Sequence, residues 1–148
     1  MSNVASVQKP VLRFQREGEY LVATILEERL RDIGVVNQLR EEFLAEVNSN
    51  PTKLVVLNLR HVTFVGSVAF MAFLAMRRGP GVERVMLCEV DPNVKSVFEI
   101  CKLIPTGDRP TAPFELTDTL NQATSDLFFG GTNSFFAAAE EVSSSKEA

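Results

Sequence analysis

The sequence predicts one α/β domain with a mixed sheet of four to five strands and about four helices. Strand-like and helix-like segments alternate along most of the chain, which favours a largely parallel sheet. Two of the strand-like segments, KLVVLNL at 53–59 and ERVMLCEV at 83–90, are almost continuously apolar, as expected for strands that are covered on both faces. The 148 residues suffice for one domain with a real core but hardly for two.

The N-terminal half begins with two short apolar runs, at 11–14 and 20–26, separated by REGE. Gly18 in that separator predicts a β-hairpin. The segment EERLRDIG at 27–34 is interpreted as a connecting loop. An amphipathic helix over 35–48 follows, because apolar residues recur there at helical spacing, namely Val36, Leu39, Phe43 and Val47.

A second helix is predicted in DPNVKSVFEICKL, with Asp91 as its N-cap and Pro92 at its first position. Its predicted apolar stripe consists of Val94, Val97, Phe98 and Cys101. A short FEL strand and a helix over 118–127 capped by Thr117 complete the domain. We expect residues 1–10 to be flexible, 11–128 to form the domain, and 129–148 to form a mobile tail.

Several classes of function are disfavoured by composition. A formal charge of −4 argues against nucleic acid as a partner, since proteins that bind it usually present a basic face. Cys88 and Cys101 form no CxxC motif and His61 is the only histidine, so neither a metal nor a redox site is expected. FFGGTNSFF lacks the Lys-Ser/Thr of a phosphate-binding loop. No cofactor is therefore expected, and these phenylalanines either dock on a neighbour or fold back on the domain.

The longest apolar run, over 68–76, has nine residues, far fewer than the roughly 20 that cross a bilayer. The first residues also lack an apolar core of signal-peptide length. Two free thiols without a disulfide framework fit a reducing compartment. We therefore expect a cytoplasmic protein that does not insert into membranes.

The stretch VTFVGSVAFMAFLAMRR places one hydroxyl, Ser67, between an apolar strand and this nine-residue apolar run. Nine successive apolar positions cover the whole circumference of a helix. The face turned away from the sheet is covered either by other helices of the domain or by a partner or second copy.

Ser67 has two interpretations. It is an ordinary N-cap, or it is a modification site, because a phosphate at the entrance of a helix is stabilised by its free N–H groups. A serine hydrolase needs a base, usually a histidine, within hydrogen-bond reach of its serine. The only histidine, His61, lies at the end of the preceding strand, and the G-x-S-x-G motif is absent, so a hydrolase is disfavoured. We expect no enzymatic activity.

The run LVVLNLRHVTFVGSVAFMAFLAMRR resembles the central signature of STAS domains, the fold of anti-sigma-factor antagonists and of the cytoplasmic ends of sulphate transporters. The resemblance extends from about Val11 to Leu127 and places the family's phosphoacceptor at Ser67. Gly66 stands where the family usually has Asp.

The resemblance implies a partner-switching regulator of transcription that binds a serine kinase/anti-sigma factor of the histidine-kinase-like ATPase fold until Ser67 is phosphorylated. The partner-binding residues it implies are Arg60, His61, Gly66, Ser67, Phe70 and Arg77. The alternative is a scaffold without a switch, in which Gly66 marks a lost acceptor site. Such a scaffold could form a homodimer or belong to a stressosome-like or lipid-transport assembly. Small-ligand sensing is a third, minor possibility.

Overall fold

A computed structural model describes residues 9–108 and 111–125. Its strands are β1 (Leu12–Glu17), β2 (Tyr20–Ile25), β3 (Arg29–Leu30), β4 (Leu54–Asn58), β5 (Phe64–Val65), β6 (Arg84–Cys88) and β7 (Glu115–Leu116). Its helices are α1 (Ile33–Ser49), α2 (Ser67–Arg77) and α3 (Pro92–Ile100), and residues 120–125 are also helical.

The main sheet has five strands in the order β1-β2-β4-β6-β7. The β1–β2 pair is antiparallel and the remaining pairs are parallel, so the predicted mixed sheet is confirmed. The hairpin turns at Gly18, which has a φ of 62°, a backbone conformation that glycine adopts without steric cost.

The two faces of the sheet bury different sets of side chains. One face packs against α1, α2 and α3, which contribute Leu39, Phe43, Phe73 and Phe98 to the core. The other face forms a smaller cluster that includes Val56, Met86 and the helical residue Ala123. Central strands covered on both faces account for the almost continuous apolar character of β4 and β6.

The prediction that 27–34 is only a loop is wrong. Arg29 and Leu30 form β3, which pairs in parallel with β5 outside the main sheet. Helix α1 then begins at Ile33, two residues earlier than predicted, because the Asp32 side chain accepts hydrogen bonds from the N–H groups of Gly34 and Val35.

The second predicted helix is confirmed, with Asp91 as N-cap and Pro92 in its first turn. Its predicted apolar stripe is wrong at Cys101, which follows the helix as C-cap and is exposed. The Thr117 cap is also wrong. The N–H of Thr117 donates to Leu87 across the sheet, and the Thr119 hydroxyl accepts a hydrogen bond from the N–H of Gln122.

Among residues 9–108 and 111–125, none of the helices combines the length and apolar character that crossing a membrane requires. The predicted tail at 129–148, with FFGGTNSFF, lies outside the described residues, as do residues 1–8 of the predicted flexible N-terminus.

Candidate functional site around Ser67

Ser67 is the first residue of α2, and its side chain is exposed. The N-cap is Gly66, which has no side chain to satisfy the first N–H groups of the helix. The simple interpretation of Ser67 as an N-cap is therefore wrong by one position. An exposed alcohol beside N–H groups that have no acceptor within the helix is placed where added negative charge is stabilised.

Gly66 is not required by its backbone conformation. Its φ of −87° and ψ of 169° are extended values that any residue adopts. A Cβ added there would lie 3.5 Å from Arg31 Cβ, Leu30 O and Phe64 Cε2, which are ordinary van der Waals distances. The Cβ of a side chain such as Asp therefore fits at this position without strain.

The small β3–β5 ribbon fixes the position of the first residue of α2 relative to α1. Leu30 and Val65 are in register and both are buried. The N–H of Gly66 donates to the carbonyl of Leu30 at 2.9 Å, so the starts of α1 and α2 lie next to each other at the same end of the molecule.

Arg60 and His61 lie in the turn after β4, and both are exposed. Asn58, only 2% exposed, shapes that turn, since its Oδ1 accepts a hydrogen bond from the N–H of Arg60 at 3.1 Å. The chain then reaches β5, where the N–H of Thr63 donates to the carbonyl of Glu28 at 2.8 Å. His61 therefore lies in an exposed turn and not within the strand.

Phe70 and Arg77 are placed less favourably for a partner. Phe70 is half-buried, and its ring meets Phe98 edge to face with 5.5 Å between centroids. Arg77 Nε donates to the carbonyl of Pro113 at 2.9 Å. Arg77 is ten residues from Ser67, about 15 Å along the helix axis, so it belongs to the other end of α2.

Helix α2 is covered mainly by other parts of its own domain. Its buried face consists of Ala69, Ala72, Phe73 and Met76. Met71 alone among the large apolar side chains of α2 is strongly exposed, at 72%. It lies one turn after Ser67 and therefore on the same side of the helix.

Sequence reasoning missed two more exposed apolar residues near this helix entrance. Ile33, 64% exposed, opens α1, and Phe64, 40% exposed, lies on β5. We call Ile33, Phe64 and Met71 the apolar rim. β3, which pairs with the strand carrying Phe64, is only two residues long, so the sequence has no periodic signal for this ribbon.

No cluster of three or more potential metal ligands occurs in the described part of the chain. Cys88 is fully buried at the end of β6, and burial together with the nearby Glu89 carboxylate raises the pKa of its thiol to about 12. Cys88 is thus protonated at neutral pH and contributes an apolar side chain to the core.

The chain has the fold of anti-sigma-factor antagonists, the STAS fold. It is similar to SpoIIAA in its unphosphorylated form, with a TM-score of 0.61 and 19% identity over 80% of this chain and 96% of that one. It is also similar to an anti-sigma factor antagonist from Mycobacterium paratuberculosis, with a TM-score of 0.64 and 20% identity over 79% of this chain and 92% of the other.

A third similar structure is a serine-to-glutamate variant of RsbS from Moorella thermoacetica, with a TM-score of 0.62 and 16% identity over 82% of this chain and 97% of that one. No protein-family model and no curated protein sequence matches the chain. The resemblance predicted from the sequence is confirmed at the level of the fold.

Proposed function

We propose that the protein is a non-enzymatic regulator that binds a serine kinase/anti-sigma factor and is switched by phosphorylation of Ser67. The observation that carries this proposal is the exposure of the Ser67 hydroxyl at the first position of α2, beside the apolar rim. Support also comes from the fold, which the chain shares with SpoIIAA, a protein with structures in unphosphorylated and phosphorylated forms.

The proposed switch is a single group transfer. The Ser67 oxygen forms an ester bond to the γ-phosphorus of ATP while the bond to ADP breaks, and the hydroxyl proton passes to a base of the kinase. The product carries about two negative charges at pH 7. Placing those charges at an apolar contact weakens it, because the phosphate loses hydration when the partner docks.

The proposed partner surface combines the residues inferred from the sequence with the apolar rim. Gly66 and Ser67 form its centre, and Arg60 and His61 add polar contacts from the turn after β4. Interfaces usually combine a few apolar anchors with polar contacts. On this surface the apolar rim would supply the anchors, beside Ser67 rather than at the centre. Phe70 and Arg77 stay in the proposal as marginal members, since one is half-buried and the other binds the Pro113 carbonyl.

Incubation with the cognate kinase and ATP, followed by mass spectrometry of the intact protein and its peptides, tests the switch. We expect one phosphate, on Ser67, and none on the Ser67→Ala variant. Ser96, which is exposed on α3, provides the matched control, and Ser96→Ala should be phosphorylated like wild type. A chain that stays unmodified under an active kinase would remove the switch.

The second candidate is a scaffold that binds the same partner, or a second copy of itself, without a switch. The observation that favours it is Gly66, which leaves no carboxylate beside the hydroxyl. Ser67→Asp and Ser67→Ala separate the two candidates by calorimetry with the partner. Weaker binding of the Asp variant supports the switch, whereas equal binding of both supports the scaffold.

A further inference from the structure

The outward side of the β3–β5 ribbon carries two arginines. Leu30 and Val65 are in register and buried, so their neighbours along each strand face away from the core. On β3 and just after it these neighbours are Arg29 and Arg31, both exposed. Phe64 lies opposite Arg29, and Gly66 follows Val65 on the other chain segment.

The two arginines have different surroundings. Arg29 is held over the Phe64 ring, with its Cζ 5.3 Å from the ring centroid, an attractive cation–π geometry. Arg31 instead lies against Gly66, with its Cβ 3.5 Å from the position of a Cβ there. The ion pairs found among the described residues are Arg16–Glu46 and Arg84–Glu115, so Arg31 has no carboxylate partner within that part of the chain.

Nearby acidic groups do not supply the missing partner. Asp32 follows Arg31, but its Oδ1 accepts the N–H of Gly34 at 2.7 Å as the cap of α1. Glu28 offers its backbone carbonyl to Thr63, and its exposed side chain forms no ion pair with Arg31. An Asp at position 66 would place a carboxylate beside the Arg31 side chain. Gly66 has no side chain, so it offers Arg31 no negative charge.

We propose that Arg31 is the counter-charge of the phosphate on Ser67, an inference that rests on the proposed function. Ser67 is the residue after Gly66, with its Cα about 3.8 Å farther along the chain. An extended arginine reaches a phosphate there. Guanidinium groups bind phosphate oxygens with two parallel hydrogen bonds, and no neighbouring carboxylate at position 66 competes for Arg31 or repels the phosphate.

The consequence is a modified state in which the phosphate is paired on its own domain. The pair favours the doubly charged phosphate over the singly charged one, and therefore lowers its second pKa below the usual value of about 6. Arg31 thus acts as a positioning residue for the phosphorylated form and takes no part in the transfer itself.

The test uses full-length protein that carries phosphoserine at position 67, incorporated during translation, so that no kinase is needed. The second pKa of the phosphate is read from a ³¹P NMR titration of wild type, Arg31→Gln and Arg78→Gln. Arg78 is the matched control, because it is exposed at the far end of α2 and loses the same charge. At about 16 Å from Ser67 it lies beyond the screening length of about 10 Å at 0.1 M salt.

We expect Arg31→Gln to raise the phosphate pKa by about half a unit, the size of a surface ion pair, and Arg78→Gln to leave it at the wild-type value. Equal pKa values in Arg31→Gln and Arg78→Gln would overturn the proposal. A second readout needs no variant: phosphorylation should shift the Arg31 Nε–H resonance and leave that of Arg78 in place. An unchanged Arg31 resonance would overturn the proposal as well.

Failure of this inference is distinguishable from failure of the proposed function. If the kinase does not phosphorylate Ser67, the proposed switch is wrong, but the ion pair is still tested on incorporated phosphoserine. If Arg31→Gln leaves the second pKa of the phosphate unchanged, the ion pair is wrong, but phosphorylation and its effect on partner binding are unaffected.

Discussion

The backbone N–H of Gly66 donates to the carbonyl oxygen of Leu30 at 2.9 Å, and this one bond joins the entrances of α1 and α2. It follows directly on the Leu30–Val65 pairing of the β3–β5 ribbon. Ser67 and Ile33, the first residues of the two helices, therefore lie at the same end of the molecule. The side chains that flank the hydroxyl come from both helix entrances, which a reading of the α2 segment alone does not reveal.

Replacing Gly66 by Asp should stabilise the protein. The backbone already has N-cap angles, and a Cβ there meets only ordinary contacts. The Ala69 N–H already donates to the Gly66 carbonyl, so the carboxylate should accept a hydrogen bond from the Val68 N–H, at the second position of the helix. A gain of about 1 kcal/mol in the free energy of unfolding is expected from the cap and from the reduced freedom of the unfolded chain. Urea denaturation followed by circular dichroism measures it.

Gly66→Ala is the matched control for that substitution. It reduces the freedom of the unfolded chain in the same way but offers no acceptor for the helix N–H groups, so it should be less stable than Gly66→Asp. Equal midpoints for the two variants would show that capping contributes nothing at this position. A midpoint for Gly66→Asp below wild type would contradict the geometry of the turn.

Met71→Asp should weaken partner binding while leaving the fold intact. The Met71 side chain is 72% exposed one turn from Ser67, so its replacement costs little packing within the domain but introduces charge into the proposed contact. We expect the dissociation constant for the kinase/anti-sigma factor to rise about tenfold or more. Isothermal calorimetry measures the constant.

Ile100→Asp provides the comparison, because Ile100 is 77% exposed at the end of α3. A helix that follows a parallel strand begins at the carboxyl edge of the sheet and ends at the opposite edge, so Ile100 lies away from Ser67. Ile100→Asp should bind like wild type. If Met71→Asp bound equally well, the apolar rim would have no role in docking.

The alternation of elements and the main sheet were predictable from the sequence, because they depend on local periodicity. Val36, Leu39, Phe43 and Val47, the residues that predicted the first helix, are the buried residues of α1. The continuous apolar character of β4 likewise indicated a strand buried on both faces. In these elements local pattern and tertiary packing agree.

The features missed by sequence reasoning depend on contacts between distant segments. β3 is only two residues long, too short for a periodic signal, and exists because β5 pairs with it. Cys101 fitted the helical stripe, but α3 ends at Ile100 and leaves the thiol exposed. Arg77 was predicted to bind a partner together with Ser67. Its hydrogen bond to the Pro113 carbonyl spans 36 residues and has no local signature in the sequence.

The two thiols should differ sharply in reactivity. Cys101 is exposed and Cys88 is fully buried with a raised pKa, and only an accessible thiolate attacks a disulfide reagent. The native protein should therefore react rapidly with Ellman's reagent at Cys101 alone, and both thiols should react in denaturant. Rapid labelling of Cys88, identified by peptide mass spectrometry in native buffer, would contradict the buried position of β6.

The same buried thiol should lower stability in alkaline solution. Burial raises the pKa of Cys88 from 9.0 to about 12, so between those values the unfolded chain releases this proton while the folded chain keeps it. Because the unfolded state then binds fewer protons, stability falls as pH rises, by about 1.4 kcal/mol between pH 8 and pH 10 for this group.

The measurement is the pH dependence of urea unfolding in wild type and Cys88→Ala. The alanine variant should start less stable at pH 8 because of the cavity but decline less steeply. Cys101→Ala, which removes the exposed thiol, should decline as wild type does, and parallel slopes for all three proteins would refute the linkage.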